Sequence, residues 1–369
     1  MKTTAAVSRA PREPFTIEEV DLPDPGPDQV LVRIVGVGLC HTDLASRDGL
    51  LTAPFPAIFG HEGSGVVEAV GAGVTKVAPG DAVVLAPMSD GTCPECQTGQ
   101  PMYCDQFTPL NFQTDSDNAV AALTSGGHAH IEFFGQSSFA RHALAHERNT
   151  IKVRADAPLE ILGPLGCGIQ TGAGTVMNGL KPEAGSSIVI LGTGAVGLAA
   201  LLGAVVCGCA TVIAVDRIAA KLELAKSLGA THGIDTSDGT DVGEAIRRVL
   251  PRGADFIVDS AGVPALIAQA VNGMSQRGTL ALVAVPPAAD RKLELPWLQM
   301  LLAGQKVQGF IEGDSVPDIF IPRMIELNRQ GRFPFERLIS TYPFERINDA
   351  VTDLHDGKII KAVMQVADQ

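Results

Sequence analysis

The sequence predicts an α/β chain with a doubly wound parallel sheet and a second, β-rich domain. Three observations carry this. Val- and Ile-rich runs at 187–191, 211–215, 255–259 and 279–285 alternate with helical stretches, and such alternation implies parallel strands joined by right-handed crossovers. The segment ILGTGAVGL (190–198) sets Gly192, Gly194 and Gly197 in G-x-G-x-x-G spacing between a strand-like run and an apolar helix, the dinucleotide-binding context of a Rossmann sheet. Residues 29–38 (QVLVRIVGVG) and 63–70 (GSGVVEAV), with Pro79-Gly80-Asp81 marking a turn before VVLAP, read as short strands and loops of an irregular barrel or sandwich.

Later elements follow the same logic. IAAKLELAKSLGA (218–230) reads as a helix closed by Gly229. A helix near 317–330 and a final strand around 359–366 end the chain. At 369 residues the expectation is two domains.

Bulk properties narrow the function. The net charge of −13 argues against nucleic acid or an anionic membrane surface as a partner, since both call for basic patches. The N-terminal MKTTAAVSRAPREPF has no apolar stretch and is not read as a secretory leader, which makes a cytoplasmic location the expectation. The uncharged run Ile188–Val215 is long enough for a membrane span. It reads better as strand, glycine-rich turn, helix and strand. The seven cysteines are an odd number. In a reducing compartment such residues more often bind metal than form disulfides. Cys207 and Cys209 are read as small packing residues.

In the fingerprint, Gly192 permits the tight turn, Gly194 lets backbone approach a pyrophosphate, and Gly197 lets helix and strand pack closely. The helix opening through Ala195 and Val196 turns free N–H groups and its positive dipole end toward the phosphates. Asp216 ends the next strand. Its carboxylate suits the adenosine ribose hydroxyls and repels a 2′-phosphate, so NAD is favoured over NADP. Arg217 beside it is suited to partial use of that phosphate.

Two metal clusters are expected. Cys40 in GLCHTD, His61 in GHEGSGVV and Cys167 in GCGIQTG supply two thiolates and an imidazole, which leave a fourth zinc position open, as in catalytic sites. Asp43 follows Cys40 by three residues and is the candidate to orient His61; Glu62 follows His61 directly. Asp90, Cys93, Cys96 and Cys104 supply four ligands for a structural zinc, with a carboxylate replacing one thiolate. The expected complement is two Zn²⁺ per chain and NAD.

With GLCHTD, GHEGSGVV, the Cys-rich lobe, GCGIQTG, LGTGAVGL with AVDR, and VAVPP (283–287) in order, the chain resembles the zinc-dependent medium-chain alcohol dehydrogenases over essentially its full length. FFGQSSFARHALAHERNTIKV, GCGIQTGAGTVMNGLKPEAGSS and GFIEGDSVPDIFIPRMIELNRQGRFPFERLIS look closest to the aryl (benzyl) alcohol branch. The resemblance implies a GroES-like catalytic domain from residues 1–168 and 312–369, and a Rossmann domain from 169–311. It implies that Cys40, His61 and Cys167 hold the catalytic zinc and that Thr42 bridges substrate oxygen to the nicotinamide ribose. Thr171 matches a residue packing on the nicotinamide, and Val285 in VAVPP lies beside the cofactor. His41 and Lys361 match basic positions near the pyrophosphate, Lys221 contacts the adenosine ribose, and Phe139 walls the substrate pocket. Asp90 departs from the pattern, which has cysteine there. Ala45 departs too, because a histidine commonly ends the proton relay at that position; Asp48 is a candidate substitute.

The expected reaction is reversible oxidation of a primary alcohol, aromatic or allylic, by a homodimer or homotetramer. The alternatives are a thiol-adduct-dependent formaldehyde dehydrogenase, which needs cations for the adduct's carboxylates, and a non-enzymatic NAD-binding sensor.

Overall fold

Strand Gln29–Gly38 organises the N-terminal half in the computed structural model, which describes residues 1–51, 53–112, 120–286 and 292–366. Pro287 of the VAVPP segment lies outside the described residues. The chain has two compact units. One comprises Met1–Cys167, Val316–Glu326 and Glu336–Gln369; the other comprises Gly168–Ser315 and Leu327–Phe335. Residues 168, 312–315 and 327–335, expected in the catalytic domain, belong to the second unit.

In the first unit Gln29–Gly38 pairs antiparallel with Gly63–Val70, His142–His146 and Lys361–Gln365. Its side chains are buried along most of its length, so the usual polar–apolar alternation is lost in favour of a Val/Ile run. Lys361–Gln365 joins it across more than 300 residues of sequence and carries Ile339–Pro343 as its parallel neighbour. A closed barrel forms from Lys2–Ser8, Thr16–Asp21, Val120–Leu123, His128–His130 and Ala57–Ile58. Its interior merges with the sheet into one apolar core that includes Phe15, Phe59, Phe133, Phe134 and Phe139.

In the second unit the described strands run in the order His232–Asp235, Thr211–Asp216, Ser187–Leu191, Ala254–Asp259, Met274–Leu282 and Lys306–Gly309, all parallel. Strand order therefore reverses beside Ser187–Leu191, and ligands of such sheets bind outside the carboxyl ends of strands at that point. Helix Ala195–Cys207 starts there and stops at Gly208, whose φ of 80° closes it. The expected helix at 218–230 spans Ala219–Ser227. The strand expected at 279–285 begins earlier, at Met274, and ends at Leu282. Among the described residues no helix is long and apolar enough to cross a membrane; Ile188–Val215 folds as strand, helix and strand.

Candidate active site

Three separate elements of the first unit deliver the metal donors. Cys40 precedes helix His41–Arg47 in extended conformation. His61 follows the short strand Ala57–Ile58, and Cys167 sits between a tight helical turn, Gly163–Gly166, and helix Gly168–Gly174. One donor atom each from Cys40, His61, Glu62 and Cys167 lies within 4.8 Å of the other three. His61 Nε2 is 3.2 Å from Cys167 Sγ.

Asp43 sets the geometry of this group. Its Oδ1 is 2.7 Å from His61 Nδ1 and accepts the Gly60 amide, while Oδ2 accepts the Cys40 amide. A carboxylate on Nδ1 holds the proton there and leaves Nε2 as the bare, metal-ready nitrogen. Burial alone would lower the basicity of His61; the Asp43 carboxylate reverses this and raises it well above the ordinary value. The Cys40 thiol is drawn well below its usual range by its hydrogen bond with Cys167, against burial, and the Lys361 charge helps. Two acidified or clustered thiols and an oriented imidazole are the donor chemistry zinc selects.

Glu62 and Lys361 form a buried ion pair beside the donors. Lys361 Nζ donates to Glu62 Oε1 at 2.6 Å and to Leu39 O at 3.0 Å, and its side chain is 3% exposed. The ammonium of Lys361, expected near the pyrophosphate, is held by these two bonds inside the first unit. Burial pushes the Glu62 carboxyl up, and the Lys361 charge opposes that. His41 is exposed at the start of its helix, and Thr42 Oγ1 stands 3.8 Å from Cys40 Sγ. Asp48, the candidate relay group, is ion-paired with Arg47 at 2.7 Å, which ties up its carboxylate.

Phe139 also needs correction. It is fully buried and meets Phe15 edge-on at 5.6 Å in the barrel core. Two aromatics meet the metal donors: Phe134 is stacked on His61 with ring centroids 4.4 Å apart and planes 24° apart, and Phe133 meets the same ring edge-on at 5.7 Å. Phe133, Phe107 and Phe112 pack edge-on around Phe134. Phe134 takes a left-handed φ of 53°, a strained state for a bulky residue that surrounding structure must enforce. Asn149 enforces it, donating Nδ2 to both Phe134 O and Gly135 O at 3.1 Å. Gln136 is likewise buried and tied on both ends of its amide, with Nε2 on His61 O and Oε1 accepting from Gly63 N and Ser138 Oγ. Sequence reading missed Phe134, Gln136 and Asn149. The FFGQSSF stretch was visible as a marker, but nothing local shows which ring turns inward.

The second cluster is compact. Donor atoms of Asp90, Cys93, Cys96 and Cys104 also lie within 4.8 Å of one another. Asp90 Oδ1 accepts the amides of Thr92 and Cys93, which holds its carboxyl far below the usual range. Cys104 Sγ receives the amides of Asp90 and Gln106; burial pushes its thiol up to about 12.

In the second unit the fingerprint is built as its glycines require. Gly192 has φ of 86°, and a side chain at Gly197 would stand 2.0 Å from Gly192 O. Thr193, between the glycines, donates both N–H and Oγ1 to Asp216 Oδ2, while Oδ1 accepts the amides of Arg217 and Ile218. Asp216 thus braces the loop. Arg217 is exposed, Lys221 is half-buried, and Val285 is 65% exposed. Thr171 is nearly buried on helix Gly168–Gly174, its hydroxyl on Glu312.

Comparison with known proteins agrees with this architecture. Residues 26–155 match the alcohol dehydrogenase GroES-like domain, and residues 195–328 match the zinc-binding dehydrogenase family. The chain is 44% identical to a geraniol dehydrogenase of Castellaniella defragrans, covering 98% of this chain and 96% of that protein. Its fold is similar to an alcohol dehydrogenase zinc-binding domain protein from Burkholderia ambifaria, with TM-score 0.97, 47% identity and full coverage of both chains. It is similar as well to benzyl alcohol dehydrogenase from Acinetobacter calcoaceticus, with TM-score 0.94, 42% identity and full coverage of both. Fold and donor set together define a zinc-binding oxidoreductase. The chain belongs to the zinc-dependent medium-chain alcohol dehydrogenases, a family whose catalytic zinc is held by two cysteines and a histidine.

Proposed function

We propose that this protein oxidises primary alcohols on an aromatic or allylic carbon to the aldehyde, reversibly, with NAD. The observation that carries the reading is the donor group Cys40, His61 and Cys167 with Asp43 behind the imidazole. Zinc bound there supplies a Lewis acid that brings a hydroxyl pKa from about 16 toward about 7. NAD supplies the hydride acceptor. The remaining work falls to the protein. Asp43 keeps the proton on His61 Nδ1. Thr42 Oγ1 accepts the proton leaving the alcohol oxygen as it gives up its own, relaying the proton outward. Phe134 and its aromatic neighbours pack against the donors and exclude water, and conjugation stabilises the product carbonyl of an aromatic or allylic alcohol. In the second unit, Gly192–Gly197 and Asp216 hold the dinucleotide, with Ala195 and Val196 opening the helix toward the phosphates.

Relatives named for geraniol and benzyl alcohol support an allylic or benzylic substrate. The thiol-adduct alternative needs cations for the adduct's carboxylates, and Lys361, the cation beside the donors, is engaged by Glu62. The second cluster is assigned to a structural zinc on Asp90, Cys93, Cys96 and Cys104. A turnover panel of geraniol, benzyl alcohol and saturated alcohols with NAD and NADP tests the reading. The conjugated alcohols with NAD are expected to give the highest kcat/KM; a strict requirement for added thiol would overturn it.

A homo-oligomer is proposed as well. Helix Trp297–Ala303 exposes Trp297, Leu298, Leu301 and Leu302 by 68–83%. It leads into Lys306–Gly309, the edge strand of the parallel sheet. An apolar helix face beside an edge strand suits a second copy of the chain. Light scattering should give at least a dimer, and a Leu298→Asp, Leu301→Asp variant should be monomeric.

A further inference from the structure

Three successive residues, Glu312, Gly313 and Asp314, take left-handed φ values of 48°, 66° and 50°. This turn meets helix Gly168–Gly174 backbone to backbone. A side chain at Gly174 would stand 2.4 Å from Gly313 O, and one at Gly313 would stand 2.4 Å from Gln170 O. The close approach drives the Glu312 side chain into the helix, where it is 8% exposed. Its Oε2 accepts from Gln170 Nε2 at 3.2 Å and Thr171 Oγ1 at 3.1 Å. Ser315 Oγ locks the arrangement through Gln170 Oε1 at 3.0 Å and Glu312 O at 2.6 Å. The amide and the hydroxyl satisfy that oxygen within the fold. The same helix is pressed on the fingerprint: a side chain at Gly172 would stand 2.0 Å from Val196 O. Thr171 is therefore held between Glu312 and the dinucleotide loop.

We propose that Glu312 is a positioning residue of the cofactor site that also sets the preference between its two redox forms. It fixes the Thr171 hydroxyl and places a negative charge on the nicotinamide side of the site. The oxidised nicotinamide ring is cationic and the reduced ring is neutral, so this charge favours NAD⁺ relative to NADH. The inference rests on the reading of the second unit as an NAD site with Thr171 beside the nicotinamide.

The test is calorimetric titration of the zinc-loaded full-length protein with NAD⁺, NADH and ADP-ribose. Glu312→Gln keeps the shape and removes the charge. It should weaken NAD⁺ binding about three- to tenfold, the scale of one charge acting over several ångströms in a partly screened site. NADH should change less than about twofold, and ADP-ribose, which lacks the nicotinamide, should not change. Glu312→Asp keeps the charge and should retain the wild-type NAD⁺/NADH ratio. Equal weakening of both redox forms, a loss of ADP-ribose binding, or no change in any ligand would overturn the proposal. Wild-type protein that binds none of the three would overturn the NAD reading itself, a result distinct from those.

Discussion

Asp43 Oδ1 lies 2.7 Å from His61 Nδ1, and neither side chain is exposed. The same carboxylate accepts the Cys40 amide on its other oxygen and the Gly60 amide beside the histidine. One side chain therefore orients a ligand from each of two segments.

Asp43→Asn should weaken zinc retention and kcat about 10- to 100-fold, the usual cost of losing an outer partner of a metal ligand. The amide cannot satisfy all three donors, because its NH₂ must face an N–H. Competition with a chromophoric chelator, read alongside NADH production, checks this.

Phe134→Leu should cost about 1 kcal/mol of the ring stack on His61, seen as about fivefold faster zinc loss to chelator. Phe139→Leu should lower the melting temperature without altering zinc loss, since Phe139 packs on Phe15 in the barrel core. Chelator kinetics and calorimetric melting separate the two.

The cysteine lobe should lose its metal in Asp90→Ala, lowering zinc from two to one per chain by elemental analysis. Asp90→Cys should restore two and resist chelation better than the wild type, because thiolate binds zinc more firmly than carboxylate.

Much of this was legible in the sequence. The zinc donors, Asp43 and the glycine fingerprint stand in short motifs whose chemistry is local. Phe134 was not, because its inward turn depends on a left-handed backbone that Asn149 enforces from another segment. Lys361 was expected beside the pyrophosphate; its strand pairs through Val363–Gln365 with Gly36–Gly38, a contact across more than 300 residues that brings it beside Glu62. Glu312 stood in the GFIEGD stretch without a role, since its contact with Thr171 spans 141 residues.

Glu147 supplies a pH test of the first unit. Its carboxylate accepts the Lys76 and Thr75 amides, and these bonds, the Lys76 amide foremost, hold its pKa below the ordinary value. A depressed folded pKa stabilises the protein above the unfolded pKa, about 4.3, and that stability is lost as pH falls through the folded value. The gap in melting temperature between wild type and Glu147→Gln should be present at pH 7 and close below about pH 4. It should be small, no more than about 1 kcal/mol, because the group faces solvent.

Alcohol oxidation with NAD should require zinc on Cys40, His61 and Cys167. The most direct measurement pairs elemental zinc analysis with NADH production from geraniol and benzyl alcohol, for wild type and Cys40→Ser. The variant should carry one zinc fewer per chain, turn over at least about a thousandfold more slowly (the order lost with an electrostatic catalyst), and retain NAD binding. Wild-type turnover in a Cys40→Ser protein verified to lack that zinc would contradict the requirement.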